Sequence, residues 1–439
     1  MKTKYTYKQI WTIAYPILIS LIMEQMIGMT DTAFLGRVGE IELGASAIAG
    51  VYYLAIFMMA FGFSIGAQIL IARRNGEGNY KEIGPIFYQG VYFLLAIAAV
   101  LFTLSIVFSP LILKNIISSH HIYDAAESYI HWRVYGFFFS FVGVMFRAFF
   151  VGTTQTKTLT LNSVVMVLSN VVFNYILIFG KFGFPQLGIA GAAIGSSLAE
   201  LVSAIFFIIY TWKRIDCKKY ALNILPKFQS RTLKRILNVS VWTMIQNFVS
   251  LSTWFMFFLF VEHLGERSLA IANIIRNVSG IPFMVAMAFA ATCGSLVSNL
   301  IGAGEGKSMF RLCGKILRLG YAVGFPLIII ALLLNKQVVG FYTDNPALIE
   351  FAYYPFIVML LNYTFALPGY VFMHAVTGTG NTRIAFIFQI STIAFYLVYL
   401  YLLSYSFIAT LPVYLMAEYL FVILLGVQSY IYLKMKQHR

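Results

Sequence analysis

An all-α membrane protein with twelve spanning helices in two like-oriented halves is the fold class predicted here, and three observations predict it. Of 439 residues, 60% are hydrophobic and 11% charged, with mean hydropathy +0.82. Twelve apolar runs long enough to span a bilayer follow one another along the chain. Short motifs recur across its middle at a nearly constant offset.

The composition identifies the solvent. Soluble domains carry about 25% charged residues, so this chain has less than half the charge a water-facing surface needs. A soluble enzyme and a disordered chain are both excluded. The net charge of +15 would suggest a nucleic-acid partner in a soluble protein. In a membrane protein the same excess is expected in cytoplasmic loops, and no nucleic-acid partner is expected. Three scattered cysteines, Cys217, Cys293 and Cys313, form no disulfide or metal framework.

A spanning helix needs roughly 20 apolar residues. Runs bounded by charge, Gly and Pro predict helices over 10–35, 45–72, 84–111, 128–152, 160–180 and 188–212. A second set covers 236–262, 269–301, 313–334, 347–377, 384–405 and 410–433. Runs beyond about 25 residues imply tilt or ends that leave the lipid. With the N-terminus placed in the cytoplasm, 24 of the 31 Lys and Arg residues fall on the cytoplasmic side and 6 on the other. Arg276 stands within a span. This asymmetry predicts a multi-pass protein of the cytoplasmic membrane with both termini inside. The first span follows the N-terminus without a small-residue cleavage site, so no removable leader is expected.

The chain repeats itself across a basic connection at 213–235. Gly76-Glu77-Gly78 after the second span returns as Gly304-Glu305-Gly306, 228 residues on. Gly152 to Lys157 returns as Gly378 to Arg383 at an offset of 226, and Pro185 as Pro412 at 227. The predicted organisation is an N-lobe (1–212), a linker (213–235) and a C-lobe (236–439). Two such halves place a substrate path between them, which is transporter architecture.

With these residues assembled, the chain resembles the multidrug and toxic compound extrusion (MATE) family over nearly its whole length. The likeness is carried by Pro16, Met29 to Gly36, Gly62 to Asn79, Gly152 to Lys157, Leu187 to Gly195 and Gly378 to Arg383. The resemblance implies two pseudo-symmetric six-helix lobes around a V-shaped central cavity, with export driven by inward H⁺ or Na⁺. It also implies a cation site formed by Asp31, Asn170, Asn174 and Ser196. At Asn174 many relatives carry a second carboxylate; this chain has an amide. The acidic residues that other members use in helices 7 and 10 are absent here.

Four acidic residues fall well inside predicted spans: Glu24, Asp31, Glu200 and Glu418. A charge at mid-bilayer costs a few kcal/mol on insertion scales, so each needs a reason. Glu24 and Asp31 lie two turns apart on one helix face, with Gly28 on the same stripe. Pro16 removes a helical hydrogen bond and invites a bend. Asp31 is read as alternating between a proton- or cation-bound form and an ionised form, with Glu24 a second coupling candidate. Glu200 and Glu418 are read as structural. Asn170 and Asn174, at i and i+4, turn both amides towards one point. One carboxylate among neutral amides favours H⁺ over Na⁺.

Arg276 shares a helix face with Asn273, Asn277 and Gly280, and is read as facing a substrate cavity or reaching out to the membrane surface. Gln246, Tyr135, Phe139 and Trp254 complete the cavity candidates. His120, His121 and Asp124 lie in an outer segment and are not expected to form a metal site. No nucleotide-binding or hydrolase motif is present. The expected function is a monomeric, cofactor-free exporter of small organic compounds among membrane lipids. A lipid-linked oligosaccharide or lipid flippase of the same superfamily is the alternative.

Overall fold

The structure is a computed structural model describing residues 5–117, 119–340, 342, 345–406 and 410–437. No strand occurs among them. The first half contains α1 (Tyr7–Val38), α2 (Glu40–Glu77), α3 (Ile83–Ile116), α4 (His120–Arg133), α5 (Gly136–Gly152), α6 (Lys157–Phe179) and α7 (Gly188–Arg214). After the connection come α8 (Ser230–Glu262), α9 (Glu266–Gly302), α10 (Met309–Leu333), α11 (Asn335–Gly340), α12 (Pro346–Phe351), α13 (Tyr353–Leu361), α14 (Tyr363–Gly378), α15 (Thr382–Ser404) and α16 (Leu411–Gln437).

Among the described residues, eleven helical stretches are long and apolar enough to span a membrane, and twelve if the bent pair α4–α5 counts as one. Each predicted run finds its helix, but two are not continuous. The fourth span bends by 52° between α4 and α5 without any proline. The tenth is broken into α12, α13 and α14. Pro355 sits in the first turn of α13, where a missing N–H is tolerated.

The chain packs as two compact units, Ile19–Asn247 and Met1–Leu18 with Phe248–Arg439, so the division falls inside α1 and α8. In the first unit α2 lies along α5, α5 on α7, and α6 on α7. In the second, α9 lies along α14, α14 on α16, and α15 on α16. The internal repeat is therefore a repeat of packing as well as of sequence.

The structure corrects the register of one motif. Gly78 and Gly304 both adopt the left-handed conformation (φ 75° and 74°) and end α2 and α9. The equivalence is thus Gly78 with Gly304, an offset of 226, rather than Gly76 with Gly304. Short 3₁₀ turns follow at Tyr80–Glu82 and Gly306–Ser308, and α3 and α10 begin at Ile83 and Met309, all at the same offset. Only a residue that tolerates positive φ can close a helix this way, so the backbone sets the register.

At the same offset Thr154 (φ 63°) matches Gly380 (φ 88°). Their amides donate to Val151 and Thr377, again equivalent residues. A left-handed backbone costs an L-residue about 1–2 kcal/mol. We expect Gly380→Thr to lower the thermal stability of the detergent-solubilised protein by about that amount. Thr154→Gly should raise it by less, because glycine is more mobile in the unfolded chain. Melting curves of the two variants test this.

Candidate ion-coupling site

Asp31 on α1 is met by α6 and α7. Its Oδ1 accepts from Asn174 Nδ2 at 2.5 Å, and its Oδ2 from Ser196 Oγ at 3.1 Å. Asn170 Nδ2 donates to Ser196 Oγ at 3.1 Å, and Asn174 Nδ2 lies 3.3 Å from Asn170 Oδ1. All four residues named by the sequence thus meet in one cluster. Asn170 and Asn174 are one turn apart on α6, and small residues on α7 let the two helices approach. A Cβ on Gly191 would lie 2.6 Å from the Leu177 backbone, and one on Gly195 only 2.2 Å from Asn174 Oδ1. This closeness is the physical reason for the small-residue run Leu187 to Gly195.

Asn174 is fully buried, yet its Oδ1 has no hydrogen-bond partner among the described residues. A buried acceptor left unsatisfied costs about 1–3 kcal/mol. The site therefore holds one carboxylate, one spare amide oxygen and one hydroxyl. Hard metal cations such as Ca²⁺ and Mg²⁺ take about six or more oxygen ligands, and both Asp31 oxygens already hold donors.

The other three intramembrane carboxylates each hold an arginine. Glu200 on α7 binds Arg133 at the end of α4 through two hydrogen bonds, 2.8 and 2.6 Å. Tyr53 donates to the same carboxylate at 2.9 Å, and the Arg133 guanidinium lies 3.6 Å above its ring centroid. Gly136, just past the bend, makes room: a Cβ there would lie 2.3 Å from Arg133 Nη1 and 2.4 Å from Glu200 Oε2. Arg133, within the run predicted at 128–152, is buried. Glu200 had one legible signal, its place one turn beyond Ser196. Tyr53 had none.

Glu24 accepts from Arg147 at 2.9 Å and from Ser20 at 3.1 Å; no described contact joins it to Asp31. In the second unit Arg276 binds Glu418 at 2.5 Å and lies over the Phe257 ring at 4.3 Å. Tyr396 donates to Glu418 at 3.0 Å. At the same offset of 226 Tyr396 stands at the place of Asn170, and Glu418 at that of Ala192, one turn before Ser196 on α7. The second unit thus carries a closed ion pair on the helices that hold the Asp31 site in the first.

A family model described as MatE matches residues 16–176 and 243–402, one segment in each half. The chain belongs to the MatE family. It is a MATE transporter and not an enzyme. "Probable multidrug resistance protein NorM" of Thermotoga maritima is 27% identical over 381 residues, covering 85% of this chain and 80% of that protein. "Multidrug resistance protein NorM" of Photobacterium profundum is 23% identical, covering 79% and 76%. Among solved structures, the eukaryotic MATE transporter AtDTX14 superposes with a TM-score of 0.86 at 16% identity, covering 98% and 96%. An outward-facing multidrug resistance MATE transporter of the MOP superfamily gives 0.87 at 15%, with the same coverage. At such identities the structures attest the fold.

The remaining MATE candidates are dispersed. Asn273 and Asn277 are exposed on α9, where Asn277 Nδ2 donates to the Asn273 carbonyl at 3.0 Å. Gln246 is buried in the first unit. Tyr135 is 41% exposed and packs edge-on against Phe102 at 5.0 Å, while Phe139 is half-buried. The Trp254 side chain lies outside the described residues. Pro16 is buried within α1, which runs unbroken past it, and a Cβ on Gly28 would meet open space. His120 pairs with Asp124 at 2.9 Å on the exposed start of α4.

Gly195 offers a test that leaves every polar group in place. Its alanine variant pushes on Asn174 Oδ1, and misplacing a binding group by about 1 Å costs one to two orders of magnitude in rate. We expect Gly195→Ala to lower ion-driven transport in proteoliposomes roughly tenfold while the purified protein stays monodisperse.

Proposed function

We propose that this MATE protein is an H⁺-coupled antiporter that exports small organic compounds, drugs among them, across the cytoplasmic membrane. The observation that carries the reading is that Asp31 is held by neutral donors, whereas Glu24, Glu200 and Glu418 each hold an arginine. A carboxylate neutralised by arginine is fixed in charge. One held by an amide and a hydroxyl can exchange its proton. The multidrug resistance names of the relatives support the substrate class. The bias of Lys and Arg supports cytoplasmic termini.

In the ionised state Asn174 and Ser196 both donate to Asp31. When a proton arrives from outside, the carboxyl becomes a donor. Half a turn of the Asn174 amide then offers Oδ1, the spare acceptor, in place of Nδ2. That exchange changes how α1 is tied to α6, and α1 bears Pro16 and Gly28 as places to bend. Substrate affinity changes with the arrangement of α1. A ligand shifts such an equilibrium only through unequal affinity for the two states, and the Asp31 proton supplies the inequality.

Purified protein in liposomes, with a fluorescent cationic substrate, tests the reading. We expect a pH gradient to drive exchange in the parent, and Asp31→Asn to reduce it to the leak rate of empty vesicles. A sodium gradient at constant pH should drive nothing; transport under that gradient alone would assign Na⁺ as the coupling ion instead.

A further inference from the structure

Arg133 and Glu200 lie deep within the first unit, with 9% and 6% of their surface exposed. Such a pair is poorly explained as a stabilising device. Removing two charges from water costs several kcal/mol per ion, and a well-packed apolar pair is often as stable. Its partners are nonetheless built in detail: a bidentate fork, an aromatic ring beneath the guanidinium, a tyrosine hydroxyl on the carboxylate and a glycine that clears the space.

The cluster adjoins the coupling site. Glu200 stands one helical turn beyond Ser196, whose hydroxyl donates to Asp31. Arg133 is held to that same Glu200 by two hydrogen bonds from the end of α4. The charged and titratable groups around Asp31 are few. Helix α4 brings Arg133 and the buried Tyr129. Helix α7 brings Glu200, and α2 brings Tyr53 bound to it. Helix α6 supplies the two amides. On α1 itself Glu24 is two turns away, occupied by Arg147 from α5.

We propose that Arg133, clamped by Glu200 and stacked on Tyr53, is a positioning residue for ion coupling. It holds a fixed positive charge within electrostatic reach of Asp31 and fixes, through Glu200 on α7, the Ser196 hydroxyl that Asp31 uses. The inference rests on Asp31 being the proton carrier. A carboxyl surrounded only by apolar helices and amides would bind its proton too tightly to release it into the cytoplasm. The Arg133 charge opposes that tightness, and the bidentate clamp stops the guanidinium from closing directly onto Asp31 and locking it ionised. Arginine suits this role because its planar fork is held in direction as well as in distance.

The experiment removes the positive charge alone, Arg133→Gln, leaving Glu200 in place, and measures proton-driven transport against pH. Without the positive charge, proton binding strengthens and the half-maximal pH of transport moves to the alkaline side. Charges in direct contact act over about 1–3 pH units. Arg133 stands one partner further off, so a shift of about half a unit is expected, roughly threefold in proton affinity. Arg133→Lys, which keeps the charge, should restore the parent midpoint even where the maximal rate is reduced.

A merely structural pair would lower the amount of folded protein and leave the midpoint unmoved, which would overturn the proposal. Should that variant not fold, Tyr53→Phe serves. It strips one donor from Glu200, leaves the ring beneath the guanidinium, and should move the midpoint the same way by a smaller amount; an unmoved midpoint there overturns the proposal equally. Asp31→Asn run alongside separates the two failures. Proton-driven transport surviving in that variant removes the carrier itself, whereas its loss together with unmoved midpoints removes only the role given to Arg133.

Discussion

A charge in hydrocarbon must bring its partner with it, and the architecture of this transporter follows from that constraint. The bilayer offers no water to solvate an ion or an amide, so backbone groups are satisfied inside helices and the intramembrane carboxylates among the described residues find partners on other helices. Glu24 meets Arg147, Glu200 meets Arg133, and Glu418 meets Arg276. Each pair ties helices distant in sequence. The bend of the fourth span and the glycine beside it are the local adjustments that let the Arg133 pair form. Asp31 departs from the pattern, and the departure marks it.

The spans and their repetition were legible because hydrophobicity is a local property of the chain. The Asp31 cluster was legible for a different reason. Asn170 and Asn174 announce a shared face by their spacing, and the family resemblance supplied Ser196 from another helix. Nothing local identifies a partner across the bundle. Arg133 carries no local sign of its partner, because its burial depends on Glu200, 67 residues later. Arg276 was weighed as a cavity or surface residue for the same reason, since Glu418 lies 142 residues away. Identical letters also misled: Gly76 and Gly304 each open a Gly-Glu-Gly triplet, but the residue that ends the helix is Gly78 in one half and Gly304 in the other.

The two halves keep their backbone plan more closely than their chemistry. Helix ends, 3₁₀ turns and the left-handed residues at 154 and 380 recur at one offset, although one of those residues is threonine. Packing restrains the backbone in both halves alike. Polar side chains are restrained only by having partners, so each half reached its own solution. Phe257, Arg276, Tyr396 and Glu418 form one; Asp31, Asn170, Asn174 and Ser196 form the other.

That divergence bears on the stoichiometry of exchange. In the second unit the helices that match α6 and α7 carry a carboxylate already cancelled by an arginine. With Asp31 as carrier, the pair of halves therefore has one exchangeable charge, and each cycle admits one proton. Export of a monovalent organic cation against that proton displaces no net charge, so the membrane potential does no work on it and the pH difference alone sets the accumulation limit. A neutral substrate would draw on both.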